Sequence, residues 1–373
     1  MSFSEVKEAE CAVDAELIEN FYAKTPINDQ FFRLANYGIW GAAFYGAYGC
    51  VTGPIGIASC VALAPAARKV ISTALGYFSY PASWTSFPGS SGKHLKNIGE
   101  FYLSSLRDEG YTIKKVSLLK SGTRYDAVLI GHKTTIQNGK WTIHALGGRD
   151  AIETSFIPIS KRDYQNGCNT MLINGPSVCG SGGCPTRYQM GAGFEAGLQF
   201  LETCFKATHI AMHGFSLGGG MMSEAILQHQ FAEDIQYLFI ADRTFKTLSD
   251  FASVTIGKFA KPIFLAAGME LDCIAASKKL EGLKITQIVL QHKSEDAKGT
   301  DGMIPDIASF AKSIDRNESK TIFFESEEVS FDKEIPIIKK REFEEEVRRF
   351  FCLEKRDWHF YQYMKMSEKN DNA

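Results

Sequence analysis

The sequence predicts an α/β protein: an eight-stranded, mostly parallel sheet flanked by helices, with an N-terminal helical region and a helical insertion. Three observations lead there. From about residue 95, apolar runs of strand length alternate with segments of helical period. One such run, beginning at His209-Ile-Ala-Met-His213, passes directly into Gly214-Phe215-Ser216-Leu217-Gly218 and a helix-like segment. The 373 residues are 45% apolar, enough for one large core with an appendage.

The elements follow in order. Lys96 to Arg107 has the helical period, with Ile98, Phe101, Tyr102 and Leu106 on one face. Tyr111–Leu119 and Tyr125–His132 read as a hairpin around Ser121-Gly122. Trp141–Leu146 is the third strand and Thr170–Ile173 the fourth, with a helical stretch between them. The Gly-rich loop 174–185 follows; it lacks a P-loop ending and reads as a flexible wall of the site. A helix over 186–205 leads into the fifth strand. Beyond it come a helix to about Gln230, a strand over Ile235–Ala241 and a mainly helical insertion at 246–283. Then follow a strand over Ile285–Gln291, a helix over Pro305–Ile314, a strand over Thr321–Phe324 and a helix over Glu342–Phe351. A hairpin continued by βαβ units, with the serine turn after the fifth strand, is the α/β-hydrolase plan. Three segments result: 1–94, 95–353 and a charged tail, 354–373.

Gly-x-Ser-x-Gly at the end of a strand mounts a serine on a tight bend at a helix N-terminus. There a developing negative charge is favoured. Ser216 is therefore the expected nucleophile. The oxyanion donors are expected at the backbone of Leu217 and in the loop after the third strand, at Gly147 and Gly148. Two carboxylates compete to orient the base: Asp301, after the seventh strand, and Asp272, which becomes the better acid with His292 as base if Pro262–Ala267 is a strand. The general base is expected after the last strand. Of the eight histidines only His359 lies beyond Asp301, so His359 and His292 are the candidates. Asp242, closing the sixth strand, reads as a cap or a paired charge below the site.

Composition narrows the classes. The net charge of −2, from 41 basic and 43 acidic residues, carries no basic excess for nucleic acid. Nine scattered cysteines fit reduced thiols, and no Cys/His spacing suggests a metal. No cofactor is expected. The acidic, polar start is not a cleavable signal peptide. Residues 34–67 carry no charge and are broken by Pro54 into two apolar halves. They are read first as a helical cover on the core or over the site, and second as a membrane-contacting hairpin. The aromatic cluster Tyr77, Phe78, Tyr80, Trp84 and Phe87 is expected to pack.

The blocks LGGRDAIE (146–153), NGPSVCGSGGCPTR (174–187), GFSLGGG (214–220), ADRTF (241–245), GMELDCIAASKKL (268–280) and DGMIPDIASFAKSI (301–314) together resemble the chlamydial CHLPS-type α/β-hydrolase family of intracellular bacteria. The resemblance implies Ser216 as nucleophile, Asp301 as acid, Gly147-Gly148 as the oxyanion loop and Asp272 in a structural block. It places a histidine near Val329 or Ser330, where this sequence has none. It also implies a protein of the bacterial cytoplasm or one delivered into a host cell, where a host protein is a partner. The expected chemistry is acyl transfer from an ester, a lipid ester in particular; the alternative is a hydrolase fold kept as a binding or membrane-docking module.

Overall fold

The structure, a computed structural model, describes residues 14–17, 54–86, 92–292, 304–314, 320–326 and 337–352. Its strands are β1 (Asp14–Leu17), β2 (Tyr111–Lys120), β3 (Thr123–His132), β4 (Lys140–Ala145), β5 (Asn169–Ile173), β6 (His209–Phe215), β7 (Gln236–Asp242), β8 (Thr286–His292) and β9 (Thr321–Ser326). They form one sheet in the order β1-β2-β3-β5-β4-β6-β7-β8-β9. The eight expected strands are present, and β1 adds an antiparallel edge to β2 that its short, acidic sequence did not announce. Ser121 and Gly122 both take positive φ, 51° and 75°, the conformation that joins β2 to β3 in a two-residue hairpin. From β5 through β9 the pairing is parallel. Because β5 lies outside β4, the chain reverses its direction of travel between β4 and β6. Ligand crevices in open α/β sheets open at such a switch point, at the C-terminal ends of the strands.

The helices are α1 (Pro54–Ser79), α2 (Gly92–Asp108), α3 (Phe156–Gln165), α4 (Arg187–Cys204), α5 (Leu217–Gln228), α6 (Leu248–Thr255), α7 (Ala260–Ala267), α8 (Cys273–Gly282) and α9 (Ile337–Phe350). Alternation along the strands sorts them onto two faces. On β6, Ile210 and Met212 join the core that holds Phe194, Leu198 and Leu201 of α4 and Met221 and Met222 of α5. Ala211 faces the other way, with Leu238, Ile240 and Leu290, and is covered by Phe343 and Val347 of α9 and by Phe351. Each of those three α9-side residues contributes roughly 1.5–3 kcal/mol by leaving water. On the same face α2 and α3 bury Leu103, Leu106 and Phe156 against Val128, Ile130 and Leu172.

Several expectations need correction. Phe101 points to solvent, 70% exposed; α2 buries Gly99, Leu103 and Leu106 instead. Residues 305–314 make only a short 3-10 turn at Asp306–Ala308, because Phe310 and Ala311 are drawn into the core and Ser309 bridges Phe245. The loop 174–182 is buried throughout and cross-tied: Ser177 N donates to Gly182 O, Gly182 N to Arg124 O, and Cys179 N to Thr85 Oγ1. It is a fixed wall. Pro262–Ala267 belongs to helix α7, so the insertion between β7 and β8 is helical. Cys204 is disulfide-bonded, against the expectation of reduced thiols. In the aromatic cluster Tyr77 and Tyr80 are buried, while Phe78 and Trp84 are largely exposed. The first apolar half, 34–53, and Phe87 lie outside the described residues. Among the described residues no helix is long and apolar enough to cross a membrane.

Candidate active site

Ser216 sits between β6 and α5 at φ 53°, ψ −120°, a backbone conformation costly for a residue with a side chain. The surroundings hold it there. Ser216 N donates to Asp242 O (2.9 Å), the Thr244 hydroxyl donates to Ser216 O (2.7 Å), and Gly219 N donates to the same carbonyl (3.0 Å). The flanking glycines are required by contact. A Cβ on Gly214 would lie 2.5 Å from Gly219 Cα, and one on Gly218 would lie 2.0 Å from Ala145 O. Strand, bend and helix therefore approach more closely than any other residue allows.

The loop after β4 comes against this bend. A Cβ on Gly148 would sit 3.2 Å from Leu217 Cδ2, and Gly147 lies against the Phe215 ring. Ala82 N donates to Gly148 O (2.9 Å), and Ser79 O also approaches Gly148, so the segment after α1 pins the loop. The structure thus brings Ser216, Leu217, Gly147 and Gly148 together at the switch point. Asp272 stands elsewhere in role: it caps α8, accepting from Ala275 N at 2.9 Å, and bridges Thr247. His292 closes β8, its backbone in register with Ser326. The His292 imidazole, Asp301 and His359 lie outside the described residues. Among the described residues none hydrogen-bonds the Ser216 hydroxyl.

Three of the described histidines, His144, His213 and His229, are engaged elsewhere in ways the sequence did not announce. His144 on β4 holds Asp163 of α3 (Nε2 to Oδ2, 2.7 Å). His213 on β6 faces His144 (Nδ1 to Nδ1, 3.1 Å) and Asp242 (Nε2 to Oδ2, 3.4 Å). Arg162 donates to His213 Nδ1 at 3.2 Å. Arg243 Nε donates to Asp242 Oδ1 at 2.6 Å and its guanidinium lies over the Phe215 ring. Burial pushes the His213 imidazole down to about 4, although the Asp242 bond pulls the other way. Burial by itself would raise the Asp242 carboxyl; Arg243 and then His213 overcome it and hold Asp242 below the usual carboxylate range. Asp242 is thus the paired charge below the site. The available signal for this network was two histidines within apolar strands, but only the β4–β6 register, His144 opposite His213, joins them.

A second polar cluster anchors the far end of α5. His229 Nε2 lies 2.8 Å from Glu202 Oε1, and Lys279 Nζ donates to the carbonyls of Ile226, Leu227 and His229. The Lys279 ammonium meets the negative end of the helix whose N-terminus carries Ser216.

The strand order, the bend at Ser216 and the abutting glycine loop define an α/β-hydrolase fold. The family described as Chlamydia CHLPS protein (DUF818) matches residues 89–348, well over half of the chain, and the chain belongs to that family. No curated protein matches it. Similar solved structures include an esterase from Pyrococcus furiosus, at 12% identity, covering 66% of this chain and 92% of that one with a TM-score of 0.46. An alpha-beta hydrolase from Vibrio vulnificus matches at 15% identity, covering 61% and 77%, TM-score 0.45. Est1E from Butyrivibrio proteoclasticus, with ferulic acid bound, matches at 10% identity, covering 63% and 97%, TM-score 0.42.

Proposed function

We propose that the chain is a serine hydrolase that cleaves a carboxylic ester, a lipid ester in particular, through an acyl-enzyme on Ser216. The observation that carries this reading is the strained Ser216 backbone at the mouth of α5, with Leu217 against Gly148. In the proposed reaction an imidazole takes the Ser216 proton, the alkoxide attacks the ester carbonyl, and the imidazolium returns the proton to the alcohol that leaves as the ester C–O bond breaks. The N–H of Leu217 and the Gly147-Gly148 loop hold the oxyanion, and water releases the acyl group. His359 and His292 remain the candidate bases. Asp301 is favoured as acid over Asp272, whose carboxylate already caps α8. The apolar 34–67 segment is proposed to line the acyl side or to touch a membrane. The proposed setting is the bacterial cytoplasm or a host cell.

A fluorophosphonate probe tests this. Wild type labels and Ser216→Ala does not; His359→Ala and His292→Ala identify the base by which one abolishes labelling and ester turnover. A folded wild type that never labels removes the reading.

One observation favours a second reading, a hydrolase fold that acts as a binding module for a host protein or a membrane. His144, His213 and His229 are each held by a carboxylate away from Ser216. Absent labelling together with partner binding that Ser216→Ala leaves intact would select it.

A further inference from the structure

Helix α7 is apolar on both sides. Ala260, Phe264 and Ala267 face the core, and the opposite side also presents apolar groups: Ile263 (45% exposed) and Leu265 (47%). The bend between α6 and α7 carries Phe259 at 63%, and the end of α6 adds Val254 and Ile256. A helix apolar all round belongs in a core or against another apolar phase.

Positive charge is in excess around this surface. No acid stands between Asp250 and Glu270, while Lys258 and Lys261 do, and Lys261 also neutralises Asp250 at 2.6 Å. Helix α1 packs beside α7 and brings Arg68 to its end: a Cβ on Gly268 would lie 2.7 Å from Arg68 Nη2. Lys69 is exposed next to it, and Ile71 is 47% exposed. From Ala260 to Gly268 no side chain offers a hydrogen-bond acceptor. A protein interface carries about one hydrogen bond per 100–200 Å² at a polar rim. An apolar face with cations in excess at its edge suits anionic lipid instead: the rings and branched chains enter the headgroup boundary, and the long cationic stems reach back to phosphate.

We propose that the outward face of the α6–α7 hairpin, edged by Lys258, Lys261, Arg68 and Lys69, docks on an anionic bilayer surface. The inference stands apart from the chemistry of Ser216, so a Ser216→Ala protein docks equally. It also differs from a contact through residues 34–67, because the apolar side chains that enter the lipid, Val254, Ile256, Phe259, Ile263 and Leu265, lie on the insertion. The geometry gives docking a consequence: the insertion hangs from the C-terminal end of β7, and the end of α1 touches Gly148, so a docked face places the serine bend beside the lipid.

The test is co-sedimentation of the full chain with phosphatidylcholine vesicles and with vesicles containing phosphatidylserine. Binding is expected to the anionic vesicles and to weaken with salt. The double variant Phe259→Ser/Ile263→Ser is expected to bind at least about tenfold more weakly, as the loss of two inserted side chains implies. Lys258→Glu should weaken anionic binding. If the double variant does not fold, hydrogen exchange on wild type decides instead: anionic vesicles must protect 254–266. Equal binding by a folded double variant, or no protection at 254–266, overturns the proposal. Self-association of the wild type that the variant abolishes, without vesicle binding, overturns it in favour of a second copy on this face.

Discussion

His213 lies on the strand that delivers the nucleophile, and its Nε2 stands 3.4 Å from Oδ2 of Asp242 on the next strand. The two residues couple the bend to its support, because the backbone carbonyl of Asp242 receives the Ser216 N–H. Arg162 donates to His213 Nδ1, so that nitrogen accepts and Nε2 carries the proton toward Asp242. A neutral His213 thus fits between a cation and an anion.

That neutrality predicts a pH dependence. The His213 pKa is about 4 in the fold and about 6.5 in an unfolded chain. Its contribution is whole above the unfolded value and is lost as pH falls through the folded one, amounting to up to about 3 kcal/mol. His213→Gln should be less stable at neutral pH and should lose stability less steeply on acidification from about 6.5 to 4. Denaturant midpoints at several pH values check this; parallel curves for the two proteins would refute it.

Asp126 behaves oppositely. It is fully buried, and burial raises its carboxyl to about 8, with Arg124 only partly offsetting and Glu153 adding repulsion. A raised carboxyl destabilises the fold progressively as pH climbs from about 4 to 8. Asp126→Asn is expected to match wild type near the acid end and to melt several degrees higher at alkaline pH, at roughly 2–4 °C per kcal/mol. Thermal melts across that window measure it.

Gly218→Ala should fail to fold or lose several kcal/mol, because its Cβ would penetrate Ala145 O and Leu146 O, both backbone. Gly282→Ala, at the end of α8 with nothing within 4 Å, is the control and should be neutral within about 1 kcal/mol. Soluble yield and denaturant curves for the pair decide the matter.

Lys279→Met leaves three carbonyls at the end of α5 without their shared cation. A cost of about 1–3 kcal/mol is expected, with faster hydrogen exchange at 226–229. Unchanged exchange there would show that the cap does not hold the helix.

Much of this was readable in the chain. The serine bend is a local construction, and Gly214 and Gly218 are close enough in sequence to reveal it. The hairpin at Ser121-Gly122 was legible for the same reason. Other features depend on distant partners. The Gly-rich loop 174–182 reads as mobile by composition, yet Arg124, Thr85 and its own cross-ties bury it. Residues 305–314 have helical spacing, but packing on Thr244 and Phe245 stops the helix after one short turn. Phe101 fits a helical face by period and lies outside the stripe that α2 buries.

By itself the sequence determined the succession of strands and helices and the position of the serine bend, because spacing, period and glycine placement act over a few residues. Tertiary structure alone decided which imidazoles meet which carboxylates and which apolar groups face water. Those depend on strand register and helix packing: His144 and His213 are 69 positions apart and become partners only when β4 lies beside β6.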